Sequence, residues 1–359
     1  MKTYNLLISS VLLLGVLSAG AFESAPSLIF VGSTYSGHEE ITRQALNNTA
    51  KRIKLVDTAN PLFELSDLSF DLAPEAKGLF GYKSKNMIIH GNFATDFPKQ
   101  TTVLSLAKFW NNNSLSDFEN PESQVLHFLK NHKNKVTLAS ARATCLTARE
   151  NIKHITTEAL KAWERNEKSQ ALFLLGHATH TIQDSFSPAH TVRAGADNNY
   201  NLKNICFYGT VMSKNMDMSR RGPKDLCFHS APDSKDAIWN SSPDLYKKTL
   251  SNWSSEQSIQ CDKQNSYPET DEQKSACMND EARLARVATE KYLFLVFGQI
   301  SPQNFVKRDS ENFVAGLDAN LFDGPVGEAE LDQKMVNGIL RCEGLPDNEI
   351  VGYETPSGN

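Results

Sequence analysis

The 32 residues KVTLASARATCLTARENIKHITTEALKAWERN, 135 to 166, contain neither glycine nor proline. An alanine-rich stretch of this length with apolar residues at helical spacing predicts a long α-helix, and the rest of the fold has to be built around it. A second helix follows at once over SQALFLLGHATHTIQD. Near the N-terminus, GHEEITRQALNNTAKRIKLV spaces Ile41, Ala45 and Leu46 for one helix face. Its acidic residues fall in the first turn, where they suit the positive end of the helix dipole. PESQVLHFLKNH reads as a short helix opened by Pro121. DEQKSACMNDEARLARVATEKYLFLVFGQI reads as a further long helix with the apolar density of a core element. From Ser187 to about Asp244 repeated prolines and glycines predict loops, including a Gly222-Pro223 pair. No β-alternation runs through several segments and no internal repeat appears. The expectation is therefore a mainly α protein, with a single helical domain over residues 22–300 and a C-terminal extension of short helices and loops over 301–359.

Residues 1–21 have the layout of a secretory signal peptide: Lys2, the apolar stretch LLISSVLLLGVLS, and the small residues Ala19, Gly20 and Ala21. Cleavage there starts the mature chain near Phe22. The apolar stretch is short of the ~20 residues that span a bilayer, so no transmembrane anchor is expected. In a secreted chain the six cysteines, Cys145, Cys206, Cys227, Cys261, Cys277 and Cys342, predict up to three disulfides whose pairing stays open. No C-x-x-C pair suggests a zinc finger or a redox motif. The formal charge of −5 provides no basic footprint for duplex nucleic acid, and no stable nucleic-acid partner is expected. Dinucleotide, P-loop and nucleophile-elbow motifs are missing.

The chemistry concentrates in HATHTIQDSFSPAH, residues 177–190. On a helix, His180 and Asp184 stand one turn apart on one face, joined there by His177. Leu172, Leu175, Thr179, Ile182 and Phe186 fall on the other side, which separates packing from ligation. Imidazole and carboxylate together suit zinc. As an exposed pair, His180 and Asp184 contribute only a few tenths of a kcal/mol; the apolar helix around them favours a buried site. The same H-x-x-x-D spacing returns at His229 and Asp233 in CFHSAPD, with His190 between the two pairs. Five donors exceed the four of one structural zinc and point to a multi-metal centre. His90, in IIHGN before a Gly-Asn turn, competes as a ligand, while His132 and His154 lie on polar, lysine-bearing stretches and read as solvated.

LGHATHTIQDSFSPAH resembles the motif L-G-x-x-x-H-x-x-x-D-x-x-x-P-x-H of zinc-dependent phospholipases C and the related single-strand-specific nucleases, in which a later H-x-x-x-[DE] follows. SGHEEIT resembles the Gly-His near the mature N-terminus of those enzymes, VLHFLKN resembles the L-H-[FY]-I segment of the nucleases, and GNFATDFP offers Asp96 in the place of the family's upstream aspartate. The phrase H-x-x-Q-D-x-F-S-x-x-H looks closest to the zinc metallophospholipases C of bacteria and fungi. In chain order the matched residues are His38, Asp96, His127, His180, Asp184, His190, His229 and Asp233. The resemblance, patchy over residues 36 to 235, implies a helical domain of that type with long loops and two or three zinc ions. It implies that His127, His180, Asp184 and Asp96 hold one ion, that His190, His229 and Asp233 hold a second, and that Asp184 bridges to a third bound by His38. The N-terminal tryptophan that completes the third site in the family has no counterpart before His38, and Phe22 replaces it if cleavage follows Ala21.

The implied activity is hydrolysis of a glycerophospholipid, phosphatidylcholine foremost, at a membrane or micelle surface, to diacylglycerol and a phosphorylated headgroup. Asp184 and Asp96 would be the catalytic carboxylates. A secreted single-strand nuclease or nucleotidase uses the same donors and is the alternative enzyme. Phe207, Tyr208 and Phe228 suit base stacking or a choline headgroup equally well. A non-catalytic, zinc-stapled binding protein is the third possibility, and closed four-coordinate sites would favour it.

Overall fold

The computed structural model describes residues 37–56, 75–76, 82–83, 86–96, 121–130, 137–187, 190–194, 200–208, 228–229, 278, 280–300, 310–326, 336–348 and 350–351. Seven α-helices carry most of these residues: α1 (Gly37–Val56), α2 (Met87–Asp96), α3 (Pro121–Leu126), α4 (Ala141–Glu164), α5 (Lys168–Asp184), α6 (Asp280–Gln299) and α7 (Ser310–Leu317). A π-helical turn, Asp318–Phe322, continues α7. With 71% of the described residues helical, the mainly α expectation holds. No helix among them is long and apolar enough to cross a membrane.

The long helical stretch divides at Ser140. Its backbone is extended (φ −64°, ψ 159°) and its Oγ accepts from the Ala143 amide at 3.0 Å, a side-chain N-cap that starts α4 six residues after the glycine-free run begins. Asn166, at φ 62°, turns the chain after α4, and the amides of Asn166 and Glu167 reach back to the carbonyls of Trp163 and Ala162. α5 then returns alongside α4.

α5 is the central element, packed by α2, α4, α6 and α3. Every residue from Ala178 to Ser187 is buried, so both the apolar stripe and the His/Asp stripe are enclosed. Two glycines set the approach of α2. A Cβ on Gly176 would stand 2.3 Å from the Ile88 carbonyl oxygen, and one on Gly91 would stand 2.0 Å from that of Phe173. The Gly91-Asn92 pair, expected to form a turn, lies inside α2: its glycine serves close helix contact. α1 buries Ile41, Ala45, Leu46, Ala50 and Ile53 and packs on α6. There Glu290 accepts from Asn48 Nδ2 at 2.7 Å and pairs with Arg286.

The region from Ser187 onward, expected as loops, contains short strands. Thr191–Arg193 pairs antiparallel with Leu202–Ile205, and Phe207–Tyr208 pairs parallel with Phe228–His229. Segments of two to four residues are too short for a period of two to stand out in a sequence. The described helix near the C-terminus begins at Asp280.

The C-terminal residues join the same core. Leu317, Leu321, Phe322, Ile339, Leu340 and Leu345 belong to the buried cluster that contains Ile152 and Leu172. Cys145 of α4 is disulfide-bonded to Cys342 across 197 positions. Arg149 and Lys153 of α4 bind Asp318, and Arg149 also binds Asp323. Arg193 donates to the carbonyls of Ser185, Tyr200 and Ile339, tying the end of α5 to the C-terminal segment.

Candidate metal centre

Asp184, in the last turn of α5, is fully buried and stands among four imidazoles supplied by four parts of the chain. His180, one turn earlier on the same helix, brings Nε2 within 3.1 Å of Oδ2. His127, just beyond α3, brings Nδ1 within 3.4 Å of the same oxygen. His38, in the first turn of α1, places Nε2 3.1 Å from Oδ1, and His190 places Nε2 3.7 Å from it. The carboxylate thus presents one oxygen to each of two histidine pairs.

Local structure accounts for each position. Phe128, at φ 49°, turns the chain directly after His127, and the Lys130 amide bonds the Cys206 carbonyl. The Cys206 amide in turn bonds the His190 carbonyl, and His190 Nδ1 donates to the carbonyl of His127. That bond leaves the lone pair of a neutral His190 on Nε2, toward Asp184. α5 ends in a turn in which the Ser187 amide bonds the Asp184 carbonyl and the His190 amide bonds that of Ser187. His190 is returned to the site within six residues of Asp184.

The donor set passes a direct test for a metal ion. His127 Nδ1, His180 Nε2 and Asp184 Oδ2 form a triangle with sides of 3.1, 3.2 and 3.4 Å. Two donors on a tetrahedral ion with bonds of ~2.1 Å stand roughly 3.4 Å apart. Ligand atoms of His38, His180 and Asp184 also lie within 4.8 Å of one another, so this group could hold an ion. Neither Asp184 oxygen accepts a well-formed hydrogen bond, although imidazole nitrogens surround both. A buried carboxylate without such bonds needs positive charge beside it. Burial pushes the Asp184 pKa up, but the charges of His190, His180 and His38 outweigh this and hold it well below the usual carboxylate range. Several imidazolium ions in contact repel each other, whereas one cation serves all the donors.

The structure therefore brings together His38, His127, His180, Asp184 and His190. Asp96 is the last residue of α2, and only its backbone belongs to the description. His229 is placed at backbone level, opposite Tyr208 and so two residues along the strand from the Cys206 contact to His190. Asp233 lies outside the described residues, as do Phe22, the N-terminal signal stretch, Pro188 and His132. His154 is exposed, as expected. His90 is buried on α2 beside Phe173. His177 Nδ1 lies 2.7 Å from Thr95 Oγ1, whose own hydroxyl donates to the Gly91 carbonyl. Burial first, then the nearby His180, His127 and His90, lowers the His177 pKa to about 4.

The sequence reading missed Gln183. This residue is fully buried between α1, α2 and α6, and its Oε1 lies 2.8 Å from His38 Nδ1. Its signals in the sequence were its place beside Asp184 in TIQD and the glutamine of the phrase H-x-x-Q-D-x-F-S-x-x-H, neither of which gave it a role. Cys206 is disulfide-bonded to a partner outside the described residues. Comparison of the chain with protein-family models, curated proteins and solved structures returned no match.

Proposed function

We propose that the protein is a secreted zinc-dependent phospholipase C that cleaves glycerophospholipids, phosphatidylcholine foremost. The observation that carries the reading is the single buried carboxylate with one oxygen before His127 and His180 and the other before His38 and His190. The chain-order resemblance of these residues to zinc phospholipases C supports it. In this reading His127, His180 and Asp184 would hold one ion, and His38 and His190, on the other side of Asp184, would contribute to a further one. Asp96, His229 and Asp233 would be the remaining donors that the resemblance implies. Zinc bound by such donors acidifies a coordinated water toward ~7 and neutralises charge on a phosphodiester.

The chain's own residues supply the rest. Asp184 stays ionised, since its pKa is held low, and so offers both oxygens at neutral pH. The carbonyl of His127 keeps the proton of His190 on Nδ1, and burial of α5 excludes bulk water from the floor of the site. Water adds to phosphorus, the bond from phosphorus to the glycerol oxygen breaks, and diacylglycerol leaves with the proton. The phosphorylated headgroup is the second product.

The test is a parallel assay of the zinc-loaded protein on phosphatidylcholine vesicles, phosphatidylglycerol vesicles and single-stranded DNA, with a chelated sample beside each. Release of diacylglycerol and phosphocholine that disappears on chelation and returns with zinc is the expected result. Cleavage of DNA alone, or full lipase activity in protein verified free of zinc, overturns the reading.

A further inference from the structure

Five side-chain amides and hydroxyls form a directed network that ends on His38. The Thr289 hydroxyl donates to the Ala285 carbonyl at 2.8 Å, so toward Gln183 it can only accept. The Gln183 atom 3.3 Å from Thr289 Oγ1 and 2.8 Å from Thr42 Oγ1 is therefore the NH₂ group. At the other end, Thr179 donates to the Gly176 carbonyl and accepts from Asn92 Nδ2 at 3.1 Å. The second hydrogen of Asn92 Nδ2 points at Gln183 Oε1, 3.3 Å away. Both ends assign the same orientation to the Gln183 amide. Its Oε1, an acceptor only, lies 2.8 Å from His38 Nδ1, which must then be the protonated nitrogen.

We infer that Gln183 is a positioning residue that keeps a proton on His38 Nδ1 and leaves Nε2 facing Asp184 as the ring's metal-binding nitrogen. The His38 Nε2 to Asp184 Oδ1 separation of 3.1 Å sets these two atoms where one cation could be shared between them. The anchors of the amide come from α1, α2, α5 and α6 through Thr42, Asn92, Thr179 and Thr289, so the tautomer is set by the packing of four helices. As a device for zinc binding the assignment rests on the function proposed above; the tautomer itself does not.

Two measurements on the full chain test it. In metal-free, ¹⁵N-labelled protein the His38 ring should show a protonated Nδ1. The opposite tautomer overturns the inference. In the second, zinc competition with a chromophoric chelator is measured for Gln183→Met and Gln183→Glu, with folding followed by circular dichroism. Gln183→Met keeps the length and loses the acceptor, and should weaken one zinc equivalent about 10- to 100-fold. Gln183→Glu keeps an acceptor for His38 Nδ1 and should retain the wild-type stoichiometry. A folded Gln183→Met protein with wild-type affinity overturns the inference, as does loss of the zinc equivalent in Gln183→Glu. If Gln183→Met does not fold, the wild-type tautomer and the Gln183→Glu result decide. A wild-type chain that takes up no zinc while His38 carries its proton on Nδ1 sinks the functional reading and leaves the role of Gln183 standing.

Discussion

Asp184 and His154 are separated by 30 positions and by opposite environments. Asp184 is buried among imidazoles, while His154 is exposed on α4. Asp184→Asn removes the charge that the four histidines share; under the proposed function, zinc uptake measured by elemental analysis should fall, and phospholipase activity should drop by roughly a hundredfold or more. His154→Ala should match the parent in both. His177 provides a second residue-level expectation. Its folded pKa, lowered to about 4 by burial and then by neighbouring histidines, lies below the ~6.5 of an unfolded chain. Between these values the unfolded state binds the extra proton, so stability falls as pH drops from about 6.5 toward 4. His177→Gln removes this dependence, on the order of 3 kcal/mol, and urea melts at several pH values measure it. The residue types and their order were legible because side chains that suit a metal ion are few and chemically distinctive. Which donors meet was not: His38 and Gln183 are 145 positions apart, and no local pattern links them.

At the scale of elements, the meeting of α2 and α5 controls the site, because Asn92 reaches Gln183 only when the two helices are close. Gly176→Ala would drive a Cβ into the Ile88 carbonyl, and overpacking of this kind costs about 1 to 3 kcal/mol. Gly298→Ala is the control. Nothing lies within 4 Å of the added Cβ on α6, and the substitution should stabilise by roughly 0.5 to 1 kcal/mol. Thermal melts of the two variants should therefore move in opposite directions. α1 was readable almost to its ends, since apolar spacing and a charged first turn are local signals. Gly91 was not, because the same residue that favours a turn also admits a neighbouring backbone, and only the presence of α5 selects between them.

The whole molecule is closed by its C-terminal part. Leu317, Phe322, Ile339 and Leu340 complete the buried cluster, and Cys145–Cys342 links them covalently to α4. Replacing both cysteines by serine lengthens the unconstrained chain by the 197-position separation and should cost about 2 to 5 kcal/mol. Hydrogen exchange should then rise first in residues 336–345. Six cysteines in a chain with a signal-like N-terminus predict disulfides, yet leave the pairing open, since pairing depends on which Cα atoms approach within bridging distance. By itself, the sequence determined the long helices α1, α4, α5 and α6 and the ordered set of imidazole and carboxylate side chains, because periodicity, capping and donor chemistry are carried by neighbouring residues. Only the tertiary structure decided that one carboxylate is shared by four histidines, and that a glutamine held by four helices orients one of them. Those contacts join distant segments, and they exist only once the helices have packed.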